Sequence, residues 1–227
     1  MPQPKNPNKI LIKNNFYPDL SEIDVWNYYQ EEKEKILNEI NKLKVAFYIF
    51  IDINRYIIKR GKSGGFSLTN KNYNNILTGR TVSILPIVDL IMDKAIIDID
   101  CKDFVKAKEI TKEIYNISNS YPYYKDCEIR YTGKDSFHII INLKRKLNVN
   151  AIRITLYSFL NEKLKGSKLN YTISPKRKDD NTPNIDLFRN AKSALYICKY
   201  SLSSIGLRCI PVNINSLDNF KKEMAKI

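Results

Sequence analysis

The chain has 227 residues, 38 Lys and Arg against 24 Asp and Glu, a formal net charge of +14 and 43% hydrophobic residues. That length and apolar content support one sizeable core, or two lobes sharing a cleft, and exclude a disordered chain. No apolar run approaches the ~18 residues of a membrane span, and the Pro-Lys-Asn-rich start lacks the features of a signal peptide, so an intracellular protein with no membrane partner is expected.

Residues 1–20, rich in Pro and Asn, are expected to lie extended. Ser21-Glu22-Ile23-Asp24 reads as a helix start, with Ser21 as N-cap and acids in the first turn. The helix is expected to run to about Leu43 on an apolar stripe that includes Val25, Tyr29, Ile36 and Ile40, with Tyr28 and Tyr29 as packing residues. Val45–Ile51 and Arg55–Lys59 are β-branched and aromatic runs that predict a hairpin. Arg60-Gly61-Lys62-Ser63-Gly64-Gly65 then reads as a hairpin end, since the upstream glycine and leading strand of a P-loop are missing. Thr78-Gly79-Arg80-Thr81 is a turn presenting an arginine.

Ala95-Ile96-Ile97-Asp98-Ile99-Asp100 is an apolar run that ends in a D-x-D. On a strand the period of two sets both carboxylates on one face, where their repulsion predicts an energetic liability that a cation would relieve. Oxygen donors suit Mg²⁺ or Mn²⁺. With 14 Asp in the chain a D-x-D arises about once by chance, so its meaning depends on what accompanies it.

Asp103 to Ile117 has helical spacing. Cys127–Thr132 and Ser136–Leu143 alternate as strands around the turn Gly133-Lys134-Asp135, and a helix from 151 to about 164 can be capped by Asn150. Residues 174–184 read as a polar loop. Ile185–Phe188, Leu195–Cys198 and Leu207–Ile214 read as short strands, and the tail after Asn215 as a short charged helix. Locally paired strands alternating with helices predict an α+β domain with a mostly antiparallel sheet. Four cysteines without a C-x-x-C pairing, and a single histidine, exclude a Cys/His zinc cluster, so reduced thiols and no zinc are expected.

Asp98-x-Asp100, Ser136-x-His138 and Asp186 thus fall on three strands. Three acids with a hydroxyl and an imidazole fit metal-dependent phosphoryl or nucleotidyl transfer. Residues 139–178 carry ten Lys or Arg, among them Lys144, Arg145, Lys146, Lys176, Arg177 and Lys178, against the single acid Glu162, which is the electrostatic footprint of a polyanion partner.

From about residue 13 to 213 the chain resembles the archaeo-eukaryotic primases, a superfamily that includes the polymerase domains of prokaryotic end-joining ligases. Ile97-Asp98-Ile99-Asp100 resembles the first motif, hydrophobic-D-x-D. Thr132-Gly133-Lys134-Asp135-Ser136-Phe137-His138 resembles the second, S-x-H after a glycine turn, and Ile185-Asp186 the third, hydrophobic-D. Asp186-Leu187-Phe188-Arg189-Asn190-Ala191 is similar to the end-joining D-Y-L-Q-N-A, and Tyr200-Ser201-Leu202 with Gly206-Leu207 is similar to the primase type. Tyr17-Pro18 to Tyr28-Tyr29 and Gly79-Arg80 resemble blocks ahead of the D-x-D.

The resemblance implies a primase catalytic core in one domain over 1–227. An RNA-recognition-like antiparallel sheet with flanking helices (95–215) would pack on an N-terminal α/β unit (1–94), with a charged tail over 216–227. It implies a template-directed nucleotidyltransferase, a DNA primase or primase–polymerase, with two Mg²⁺ or Mn²⁺ ions on Asp98, Asp100 and Asp186. Ser136, His138 and Lys134 would hold the nucleoside triphosphate, assisted by Arg80, Lys192 or Lys199. Lys144, Arg145, Lys146, Lys176, Arg177 and Lys178 would track the phosphates of a DNA template and primer strand. A helicase, a ligase or a primase regulatory subunit is the implied kind of protein partner, and a cytoplasmic, nucleoid-associated location follows. An end-joining repair polymerase is the alternative within the superfamily. Glu22, in place of the lysine that end-joining members use on a DNA 5′-phosphate, favours the primase type. A non-catalytic nucleic-acid-binding module is the alternative outside it. A nicking replication initiator needs a His-hydrophobic-His pair, which one histidine cannot supply.

Overall fold

The computed structural model describes residues 20–52, 55–61, 64–174 and 182–227. The chain divides into two compact units. The first is drawn from Met1–Ile87, Leu195–Cys209 and Lys222–Ile227, and the second from Val88–Ala194 and Ile210–Lys221. The division therefore follows Ile87 rather than residue 94. The expected tail is shared, with Lys222–Ile227 returning to the first unit.

The first unit opens with helix α1 (Glu22–Glu31), held by a reciprocal capping box between Ser21 and Asp24. The single helix expected to Leu43 is two. At Glu32 the backbone leaves helical geometry (ψ 1°), and α2 runs over Lys33–Ile40. Asn41 closes it in the left-handed region (φ 41°), which asparagine tolerates. Both helices bury their stripes in one core with Val45, Phe47 and Ile84.

The predicted hairpin forms as β1 (Lys44–Asp52) and β2 (Arg55–Lys59). A two-residue β3 (Phe66–Ser67) extends the β2 edge, α3 spans Tyr73–Ile76, and β4 (Thr81–Pro86) pairs with the opposite edge of β1. Leu195–Cys198 is not a regular strand. It touches Ile87 through one bridge at Leu195 and hands the Cys198 N–H to the Ile84 carbonyl at 3.0 Å. Ser193 and Tyr200, both left-handed, bracket it.

Tyr28 and Tyr29 pack as expected and are also anchored. The Tyr28 hydroxyl donates to the Tyr200 carbonyl at 2.6 Å, and that of Tyr29 donates to the Val82 carbonyl while accepting from the Leu202 N–H. At the 78–81 turn, Gly79 lies against α1 so closely that a Cβ there would sit 2.2 Å from the Glu22 carbonyl oxygen.

The second unit is α+β. In chain order it comprises β5 (Ile91–Asp100), α4 (Phe104–Ser118), β6 (Tyr124–Tyr131), β7 (Phe137–Asn148), α5 (Val149–Lys163), β8 (Thr172–Ser174), β9 (Asn184–Asp186) and β10 (Ile210–Val212). Among the described residues the six strands lie in the order β10-β6-β7-β5-β9-β8 and are antiparallel except for β8 against β9. Asp103 caps α4, accepting the N–H groups of Val105 and Lys106. Asn148, two residues before the expected Asn150, caps α5.

Around Asp98 and His138 successive side chains on β5 and β7 take opposite faces. Ile97 and Ile99 share one face with Phe137 and Ile139, and Phe104 of α4 stacks on Phe137 at 5.5 Å. Asp98 and His138 point the other way. The stretch after Asn215 forms short 3₁₀ turns (Ile214–Ser216, Lys222–Ala225) rather than a helix. The four cysteines are thiols. No helix among the described residues is long and apolar enough to cross a membrane.

Candidate active site

The site is built on a cross-strand row. Ser174, Asp186, Asp98, His138 and Arg130 are successive partners on β8, β9, β5, β7 and β6. Directly opposed residues point to the same side, so these five side chains cross one face of the six-stranded sheet. All five are buried. Asp100 occupies the next position on that face of β5, opposite Asn184, and is exposed. Asp98, Asp186 and His138, predicted as partners from positions up to 88 residues apart in sequence, thus become neighbours on adjacent strands.

Asp98 sits at the middle. Its Oδ1 lies 3.4 Å from His138 Nε2, and its Oδ2 accepts from Arg189 Nε at 3.0 Å. Burial alone would raise this carboxyl. His138 and Arg189 together outweigh that effect and hold it well below the usual carboxylate range. Asp186 is pushed the other way. Burial raises it, as do the negative charges of Asp98 and Asp100, against the Phe188 N–H that donates to its Oδ1 at 2.6 Å and the charge of Arg189. The two central acids are therefore shifted in opposite directions. Among the described residues no three His, Cys, Asp or Glu side chains are gathered as a metal cage requires.

The turn after β9 is pinned to β5. Leu187 N–H reaches the Ser174 carbonyl at 3.0 Å. Asn190, buried, uses its amide twice on Ile96, accepting the backbone N–H at 2.8 Å and donating to the carbonyl at 2.5 Å. Its side chain thereby continues the ladder that β9 leaves at Asp186.

The β6–β7 turn is also tied down. The Tyr131 hydroxyl donates to the Lys134 carbonyl at 2.6 Å, Gly133 takes a left-handed φ of 85°, and the Ser136 hydroxyl lies 2.9 Å from that of Thr132. Lys134 is exposed at this tip, and Ser136 is engaged within the hairpin. His138 Nδ1 is a buried nitrogen with no hydrogen bond among the described residues.

The other expected site residues are distributed differently. Lys192 is exposed in the second unit. Arg80 and Lys199 belong to the first, where Arg80 pairs with Glu22 at 2.9 Å and Lys199 with Glu39 at 3.7 Å. Lys144, Arg145 and Lys146 are exposed near the end of β7, with Arg145 5.4 Å over the Tyr123 ring. Lys176, Arg177 and Lys178 lie outside the described residues, as do Tyr17-Pro18 and Lys62-Ser63.

Arg189, Asn190 and Arg130 are not among the site residues that the sequence predicts. Arg130 is 3% exposed and pairs with Glu128, two residues back on the same face. That i, i+2 charge pair inside an otherwise alternating strand was a usable signal. For Arg189 and Asn190 only their closeness to Asp186 hinted at a role.

No family model matches the chain. Over 169 residues, 71% of its length, it is 29% identical to the uncharacterized protein MJECS07 of Methanocaldococcus jannaschii. The match covers 32% of that protein, so the chain spans about a third of its relative's length. Among solved structures, the polymerase domain of Mycobacterium tuberculosis ligase D, determined in complex with DNA, superposes with a TM-score of 0.71, covering 96% of this chain and 93% of that one. The chain has the fold of a ligase-associated polymerase domain. At 11% identity the likeness is one of fold, and the row on β5, β7 and β9 is where this polymerase-domain fold carries its buried charge here.

Proposed function

We propose that the protein is a template-directed nucleotidyltransferase of the primase–polymerase kind. The observation that carries the reading is the His138–Asp98–Asp186 row, with Asp100 beside it, on a sheet whose fold is that of a DNA-bound polymerase domain. Nucleotidyl transfer needs little covalent chemistry from a protein. It needs a held triphosphate, an aligned 3′-hydroxyl and compensation of charge on the phosphoryl group.

The donor set fits a hard divalent cation. Asp98, Asp100 and Asp186 offer only oxygens, and the pairing of β5 with β9 sets them at neighbouring positions on one face. Two Mg²⁺ or Mn²⁺ ions on these acids would supply activation of a 3′-hydroxyl and stabilisation of the leaving pyrophosphate. His138 fixes Asp98 from one side and offers its other nitrogen to a ligand. Lys134, at a hairpin tip anchored by Tyr131, and Lys192 supply cations for the triphosphate. Lys144, Arg145 and Lys146 form an exposed basic stretch suited to the phosphates of a template strand.

Primer extension tests the reading. Labelled primer–template is incubated with Mg²⁺ or Mn²⁺ and either ribo- or deoxyribonucleotides, beside a template without primer. Metal-dependent incorporation is expected, and synthesis without primer assigns the primase type. Extension confined to primed or broken ends assigns the end-joining type. DNA binding with no incorporation under any condition would identify a binding module and overturn the reading.

A further inference from the structure

Arg189 stands where it can compete with a cation. Its Nε is 3.0 Å from Asp98 Oδ2, and His138 Nε2 faces Oδ1, so both oxygens of this acid already have a cationic or N–H partner. The backbone carrying Arg189 is fixed, because Asp186 holds the Phe188 N–H on one side and Asn190 is bonded twice to Ile96 on the other. The side chain has an exit, since Arg189 is 33% exposed while Asp98 is 9% exposed. A change in the partner of Asp98 can thus come about by rotation of one long side chain on a fixed backbone.

We propose that Arg189 is the resident counter-ion of Asp98, that a divalent cation binds this acid only by displacing it, and that the triphosphate of an incoming nucleotide receives the displaced guanidinium. This rests on the nucleotidyltransferase reading and adds a coupling to it. A dication and a guanidinium sharing one carboxylate repel at short range in a partly desolvated site. With no alternative acceptor for the arginine, the dication binds weakly. A polyphosphate supplies that acceptor, because its oxygens match the planar fork of a guanidinium. Metal and nucleotide then tighten each other's binding by the same factor, as linkage requires. In the arginine-bound arrangement the three acids need not converge, which agrees with the absence of a gathered cage among the described residues.

The test is Mn²⁺ binding, read as loss of the free-ion EPR signal, for wild type, Arg189→Gln and Arg189→Lys, with and without a non-hydrolysable nucleoside triphosphate. Circular dichroism checks that each variant is folded. Without nucleotide, Arg189→Gln is expected to bind Mn²⁺ about tenfold more tightly than wild type, and the tightening caused by nucleotide is expected to shrink by a similar factor. Arg189→Lys keeps the charge and should stay close to wild type in the nucleotide-free arm. A folded Arg189→Gln with unchanged or weaker Mn²⁺ affinity overturns the proposal, and wild-type primer extension alongside that result leaves the polymerase reading standing. Absence of both Mn²⁺ binding and primer extension in wild type overturns the two together.

Discussion

Removing the negative charge of Asp98 or of Asp186 has opposite consequences for stability. The D-x-D alone predicts mutual repulsion and therefore a liability at both of its acids. In the structure Asp98 is instead compensated by His138 and Arg189, while Asp186 is raised, first by burial and further by the charges of Asp98 and Asp100. Asp98→Asn removes the carboxylate that Arg189 Nε and His138 Nε2 face and is expected to destabilise the protein by about 1–3 kcal/mol, less than a fully buried broken pair because Arg189 is partly exposed. Asp186→Asn keeps an acceptor for the Phe188 N–H, removes a carboxylate whose ionisation folding disfavours, and should be neutral or stabilising by up to about 1 kcal/mol. Both variants should lose nucleotide incorporation. Thermal melting in EDTA beside primer extension in Mn²⁺ measures the two effects, and a lower melting temperature for Asp186→Asn than for Asp98→Asn would reverse this assignment of compensation.

Elements join here through single side chains as much as through ladders. Asn190 substitutes for strand backbone at Ile96, so Asn190→Ala leaves a buried N–H and a buried carbonyl without partners at a cost of roughly 2–4 kcal/mol, measurable by chemical denaturation. Gly79→Ala drives a Cβ into the backbone of α1 and is expected to cost about 1–3 kcal/mol, since carbonyl atoms cannot rotate aside as a side chain would. A melting temperature unchanged by Gly79→Ala would mean that the 78–81 turn can shift away. How far the elements could be read from the sequence follows their periodicity. β5 and β7 are long β-branched runs carrying polar motif residues, and α4 has helical spacing, and these features give them away. All six residues of β4 are buried, so it has no alternation to read, and β8 has only three residues, too few for a period to show. The three motif acids were legible as residue types in sequence order. The pairing of Arg189 with Asp98 was not, because it depends on a turn that closes over 91 residues of chain.

At the scale of the whole molecule, charge is the property that acts furthest. Lys144, Arg145 and Lys146 are all exposed on one strand, and replacing the three with Gln should lower the slope of log affinity against log salt for DNA by roughly 2–3 units. Fluorescence anisotropy across a salt series measures it, and an unchanged slope would remove this stretch from the interface. The path of the chain has a different consequence. The polypeptide passes from one unit to the other after Ile87, after Ala194, after Cys209 and after Lys221, so each unit is assembled from segments distant in sequence. A fragment trimmed to residues 95–215 would lack Val88 and the start of β5, and would carry Leu195–Cys209 without the strand to which Cys198 bonds. Dissection into halves by truncation is therefore expected to yield insoluble pieces. A single proteolytic nick in intact protein should leave the fragments associated, migrating together on a sizing column and separating only in denaturant.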